Sequence, residues 1–464
     1  MELESYNNPA LQIVMDKYIT KEKYGDFKPL LDEILRRRAF EFGFSLDRMT
    51  EEIKRLVENL DSIDFMTEEE QKEKDSVDVL ASYKGLEKRV LIDPKYFNAL
   101  SEYYNSNFEP NTAKFLTGRD LYSVLTHEIY HAIAYHREGD FGVIHKDARG
   151  VISGSHMNEI LTESAATRSV RTKEDQDYEN GYMGTIGYQT TTCFTNLFAC
   201  AIGVTEKELL SHGLNDREEF EDFVLKAMRV SFSEGEAKER LGDIFRLTTL
   251  MGRLDDDKIP IQTKESIYTQ MYMELFELAT DHMTFDERPL SKEVIGEKQF
   301  RTQTMASIAK SSLEFLEREN YIRPGSARYM VDKAGINHNL ERMIVVGLRE
   351  FVALEDIDES MYSLNEIDNM LSNDMKDDPR KYQLGIRKFV HDDYTQKTQW
   401  SDGVFIYMMN AFEKKMQEYE RTLPPDQIRK SKKDELNSGD IKVENVNFNH
   451  KIEIDKSKDE DEIR

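Results

Sequence analysis

The sequence predicts an α+β protein that is mainly α-helical with one small β-sheet. Two observations carry this. Apolar residues recur at helical spacing along most of the chain, and only one pair of short strand-like runs, 77–80 and 89–92, stands among them. A third narrows it: no segment repeats at a fixed period, so a solenoid or propeller is not expected.

The elements follow in order. Leu11, Val14, Met15 and Tyr18, then Leu30, Leu31, Ile34 and Leu35, form apolar stripes of helices, and 49–61 repeat the period. Residues 68–75 read as a charged break. The runs 77–80 and 89–92, with Lys84-Gly85 between them, read as a β-hairpin. Pro94 opens a helix through Tyr104. Gly118 and Asp120 suit the start of a helix over about 118–138, in which Leu121, Val124, Leu125, Ile129, Ala132 and Ile133 recur at helical spacing. A Gly-containing connection leads to a second helix at about 157–172. Residues 187–202 read as a buried helix that could back the first two. Amphipathic helices continue from Leu209 to about 285. The Met, Tyr and Leu stripe of 264–283 is expected simply to pack. Further helices run through Ser307, Ile308, Leu313, Phe315 and Leu316 and over 343–354. The acidic run 374–379 marks a loop. Trp400 precedes a helix that Pro424-Pro425 stops near Leu423, and the polar remainder to Arg464 reads as a disordered tail.

Composition sets limits. A chain of 464 residues is expected to hold two or three domains. Its 39% hydrophobic residues suffice for a sizeable core. With 89 acidic against 63 basic residues the net charge is −26, which argues against nucleic-acid and anionic-membrane partners, since both demand a basic face. The two cysteines, Cys193 and Cys200, would lie about 10 Å apart along one helix, too far for a disulfide. Both are read as buried thiols. The first residues carry no basic region followed by an apolar run, and no stretch approaches the ~20 apolar residues of a membrane span. Cytoplasm is the expected location, although leaderless export is invisible to such a reading.

The chemistry is carried by Leu125-Thr126-His127-Glu128-Ile129-Tyr130-His131, a His-Glu-x-x-His pattern inside the first of these two helices. Four residues are one helical turn, so His127 and His131 face the same way and can hold one Zn²⁺ (one per chain), with Glu128 able to reach a metal-bound water. Catalytic zinc needs a third protein ligand. Ala134 and Arg137 occupy the places where an extended pattern would put Gly and His, which excludes that solution. Glu159 and Glu163, at i and i+4 on the following helix, remain. Spacing favours Glu159 as ligand, with Glu163 accepting the outer N–H of a ligating His. His145, His156 and Asp147 are outside candidates.

His127, Glu128 and His131, followed by Asn158-Glu159 and the carboxylate Glu163, resemble the gluzincins, the thermolysin-like zinc metallopeptidases. In their Asn-Glu-x-x-x-Asp pattern this chain has Glu for the final Asp. The resemblance covers about residues 75–210 and implies a zincin-like metallopeptidase core. Flanking it are an N-terminal helical region (1–74), a helical C-terminal domain (211–422) and a charged tail (423–464). It implies Glu159 as third ligand, Asn158 and Glu163 behind the ligands, and a hairpin edge strand that pairs with an extended peptide or protein substrate. Glu128 would be the general base. Tyr182, Tyr188 and His156 are the candidates for a further donor to the oxyanion. Two alternatives stand beside a general peptidase: an effector protease of narrow specificity, and a non-enzymatic or regulatory helical interaction protein that retains the fold.

Overall fold

The computed structural model describes residues 8–73, 80–94, 115–137, 140–147, 149–170, 192–254, 256 and 258–354. It is mostly helical with a small mixed sheet. The helices expected at 94–104 and before Leu423, the loop at 374–379 and the tail lie outside the described residues.

Asn8 caps α1 (Pro9–Tyr18) by accepting from the amides of Ala10 and Leu11. A short α2 (Lys21–Tyr24) leads through one 3₁₀ turn into α3 (Lys28–Phe42), and α4 (Leu46–Asn59) follows under a Ser45 cap. Met49, Ile53 and Leu56 recur at helical spacing on α4 and are buried.

The sheet differs from the expected hairpin. Three strands are present: β1 (Ser62–Phe65), β2 (Ala81–Lys84) and β3 (Arg89–Ile92). Their order is β1-β3-β2, with β1 parallel and β2 antiparallel to β3. The second expected strand stands where the sequence put it. The first lies further on, at Ala81–Lys84, because β2 and β3 are joined by the tight turn 85–88, which fixes the register Ala81↔Ile92. Of the expected 77–80, only Leu80 is described, and it precedes the strand. β1 was not expected, because it follows directly on the helical stripe read over 49–61. Within the charged break a short helix forms, α5 (Glu68–Glu73). Thr67 and Glu70 bond each other's backbone amides at its start, a capping box that the sequence displays as Thr-x-x-Glu.

Two helices then frame the candidate site, α6 (Phe115–Ala134) and α7 (Ser155–Ser169). α6 stops at Ala134 and not near 138. The carbonyls at its end are taken up from outside the helix: Asn59 donates to Ala132 O (3.1 Å) and to Tyr135 O just beyond it (2.7 Å), and Gly142 N to Ala134 O (3.1 Å). The chain turns instead into β4 (Tyr135–Arg137), paired with β5 (Asp140–Phe141), and β6 (His145–Lys146) pairs with β7 (Ile152–Ser153).

The remaining described helices are α8 (Thr192–Ile202), α9 (Glu206–Gly213), α10 (Arg217–Met228), α11 (Glu234–Met251), α12 (Ile261–Thr284), α13 (Lys292–Arg318), α14 (Ser326–Lys333) and α15 (Ile336–Leu354). Both cysteines sit on α8 as free thiols. α8 carries the fully buried Phe194, Leu197 and Phe198 and packs on α7, α12 and α13. One hydrophobic core runs from Leu11 through Ile129 and Leu161 to Met343. No helix among the described residues is long and apolar enough to cross a membrane.

Candidate metal centre

α6 presents His127 and His131 one turn apart, with ring centroids 4.5 Å apart. Their Nε2 atoms are 2.9 Å from each other. α7 packs against α6 and brings Glu159 Oε2 to 3.2 Å from His127 Nε2 and 3.3 Å from His131 Nε2. These three side chains are the one group among the described residues whose donor atoms could hold a metal ion. The spacing fits zinc. A tetrahedral ion with bonds of about 2.0–2.1 Å holds its ligand atoms about 3.3 Å apart. Both imidazoles are buried, while the Glu159 side chain keeps 28% of its surface exposed, so the cluster is open on the carboxylate side.

Behind the donors stand the residues that aim them. Glu163, itself buried, accepts from His127 Nδ1 at 2.8 Å. This sets the ring so that Nε2 faces the cluster. Asn158 lies behind the other imidazole, its Nδ2 3.3 Å from His131 Nδ1 and its Oδ1 accepting from Val143 N at 3.2 Å. Asn158 can approach the β5–β6 connection only because residue 142 is glycine. A Cβ there would lie 1.9 Å from Asn158 Oδ1, and its φ of +54° already disfavours other residues.

Burial opposes a charge on His127, but hydrogen bonds to Glu159 and Glu163 outweigh it and hold its pKa well above the usual value. Burial likewise works against an ionised Glu159, but the neighbouring His131 and His127 keep its carboxyl well below the usual carboxylate range. A divalent cation at these donors would compete with the proton on His127.

Glu128 is half-buried beside His127, and its Oε2 accepts from the backbone N–H of Tyr83 at 2.5 Å. Antiparallel pairing points alternate amides away from the neighbouring strand, and β2 is an edge strand among the described residues. The same tyrosine braces the end of α6. Its hydroxyl donates to Asn59 O (2.9 Å), and its ring meets Tyr135 edge-on at 5.8 Å. Gly85 follows closely, since a Cβ on it would come within 2.6 Å of the Tyr135 ring. On another face of α6, Arg38 is fully buried. It forms a two-point pair with Glu52 (2.7 and 3.2 Å), and its guanidinium lies 4.4 Å from the centre of the Tyr130 ring.

The other expected site residues are placed as follows. His156 is half-buried on the first turn of α7, packed at Gly252 near the end of α11, and burial lowers its pKa. It does not join the donor set. His145 is exposed on β6. Asp147 is exposed and closes a turn by accepting from the amides of Arg149 and Val151. Tyr182 and Tyr188 lie outside the described residues. No sequence signal marks Tyr83, whose contribution is a backbone amide, or Asn59 and Arg38, which act from elements distant in the chain.

Compared with protein-family models, with curated proteins and with solved structures, the chain has no match.

Proposed function

We propose that this chain is a zinc-dependent metallopeptidase of the gluzincin type. The convergence of His127, His131 and Glu159 from two packed helices, with Glu128 beside them, carries the proposal. His127 Nε2, His131 Nε2 and Glu159 would hold one zinc ion per chain. When bound, zinc supplies a water acidified to a pKa of about 7 and polarises the scissile carbonyl. Glu128, which is not in the donor set, takes the water proton on its carboxylate and passes it to the leaving amine. Glu163 and Asn158 hold the rings in place. The outer edge of β2 lies beside Glu128, which takes the Tyr83 amide, and an extended peptide pairing along that edge would exchange with this carboxylate.

Zinc analysis and cleavage mapping on wild type and Glu128→Gln test this together. Wild type should carry close to one zinc per chain and cleave peptide bonds. Glu128→Gln should keep the zinc and lose about 10²–10⁴-fold in turnover. Wild-type turnover in Glu128→Gln would refute the assigned base. Metal bound without cleavage of any peptide or protein would favour the non-enzymatic interaction module.

A further inference from the structure

We infer that the groove between α13 and the pair α14–α15 is a docking site for this chain's own residues 405–423, packed in it as an amphipathic helix. The groove, of about 990 Å³, is remote in sequence from the metal centre. Its walls include Ala306, Ala309, Leu313, Ala327, Val331 and Leu340. Three of these six are alanines, so the walls leave a channel that larger side chains from elsewhere would fill. Interiors are packed close to crystal density, and an apolar channel of this size is out of keeping with that.

Where the described chain stops points to the occupant. α15 supplies one wall, through Leu340 and Ile344, and ends at Leu354, with 110 residues of sequence still to come. Within these, Phe405, Met409, Phe412, Met416, Tyr419 and Leu423 recur at alternating intervals of four and three, the seam of a helix that packs into a groove. Pro424-Pro425 ends the pattern. The side chains are large enough to fill the channel, and methionine adapts to irregular walls. About 50 residues separate Leu354 from Phe405, ample to reach the groove, and closing such a loop costs little more than closing a short one. A shorter stripe at Met361, Leu364, Ile367 and Leu371 has fewer large residues and is the competitor to be excluded.

Hydrogen exchange on the full-length chain tests the assignment. Amides of 409–423 should exchange at least about tenfold more slowly than in an isolated peptide of that sequence. The groove-filling substitution Ala306→Trp should abolish the slowing. The double substitution Met409→Ser with Phe412→Ser should do the same from the other side, and it leaves the groove unchanged should Ala306→Trp fail to fold. A disulfide between Val331→Cys and Met416→Cys should form within monomers. An unchanged far-ultraviolet circular dichroism spectrum in each variant shows that the rest of the fold is intact. The assignment is overturned if 409–423 exchange like the free peptide, if protection maps to 361–371, if Met409→Ser with Phe412→Ser leaves it unchanged, or if the disulfide links only separate chains.

Discussion

If His127 holds the proposed metal ion, a proton and the ion compete for one nitrogen. Because the flanking carboxylates raise its pKa, zinc uptake near neutral pH should release protons, and affinity should fall as pH falls. Calorimetry in buffers of different ionisation enthalpy would count them. The metal-free protein has its own pH dependence. His127 is raised above its ordinary 6.5, so its contribution to stability is full below that value and is lost as pH rises through the folded-state value. Glu159 is depressed below 4.5, so its contribution is present above that value and is lost as pH falls through the folded-state value. Metal-free melting temperature should therefore decline on both sides of a plateau, and zinc should raise it. An unchanged melting temperature from mildly acidic to alkaline pH would contradict this. Glu163→Ala should cost about 10–100-fold in zinc affinity by freeing the His127 ring. Equal affinity in a zinc titration would show that Glu163 does not aim the ligand.

Among the elements, α6 is held from several sides, and each hold can be removed separately. Arg38 and Glu52 pair where neither has access to water. Removing one partner strands a buried charge, so Glu52→Ala should destabilise by about 3–5 kcal/mol in denaturant unfolding. The double replacement Arg38→Met with Glu52→Leu should recover most of that loss, because the other cation that Glu52 pairs with, Arg48, reaches water. Failure of the double variant to recover would mean that the pair has a role beyond its own electrostatics. Asn59 shows the limit of reading elements one by one. A helix continuing to 138 was a fair expectation from spacing, but the Asn59 amide, brought from α4, satisfies the carbonyls at which α6 stops.

For the whole molecule, the unbroken core joins the N-terminal helices, the helices that carry His127, His131 and Glu159, and the C-terminal helices. Phe194 and Phe198 on α8 stack on each other at its middle. Phe194→Ala should cost about 3–5 kcal/mol. It should do so in one transition shared by all three regions, seen by tryptic protection of each. Separate transitions would show that the regions fold independently.

Some features were legible in the chain because they are local. The turn between His127 and His131, the turn between Glu159 and Glu163 and the apolar stripes depend on helical periodicity, which neighbours in sequence impose. The strand Arg89–Ile92 belongs with them. What needed the tertiary structure is every relation between segments far apart in the chain. The approach of Glu159 and not His145 or Asp147 to the imidazoles, the placing of Asn158 through Gly142, the parallel partner β1 and the bond from the Tyr83 amide to Glu128 all arise when helices and strands pack. A backbone amide at a sheet edge has no side-chain signature, and a carboxylate 28 residues beyond His131 becomes a neighbour only when α7 is laid against α6.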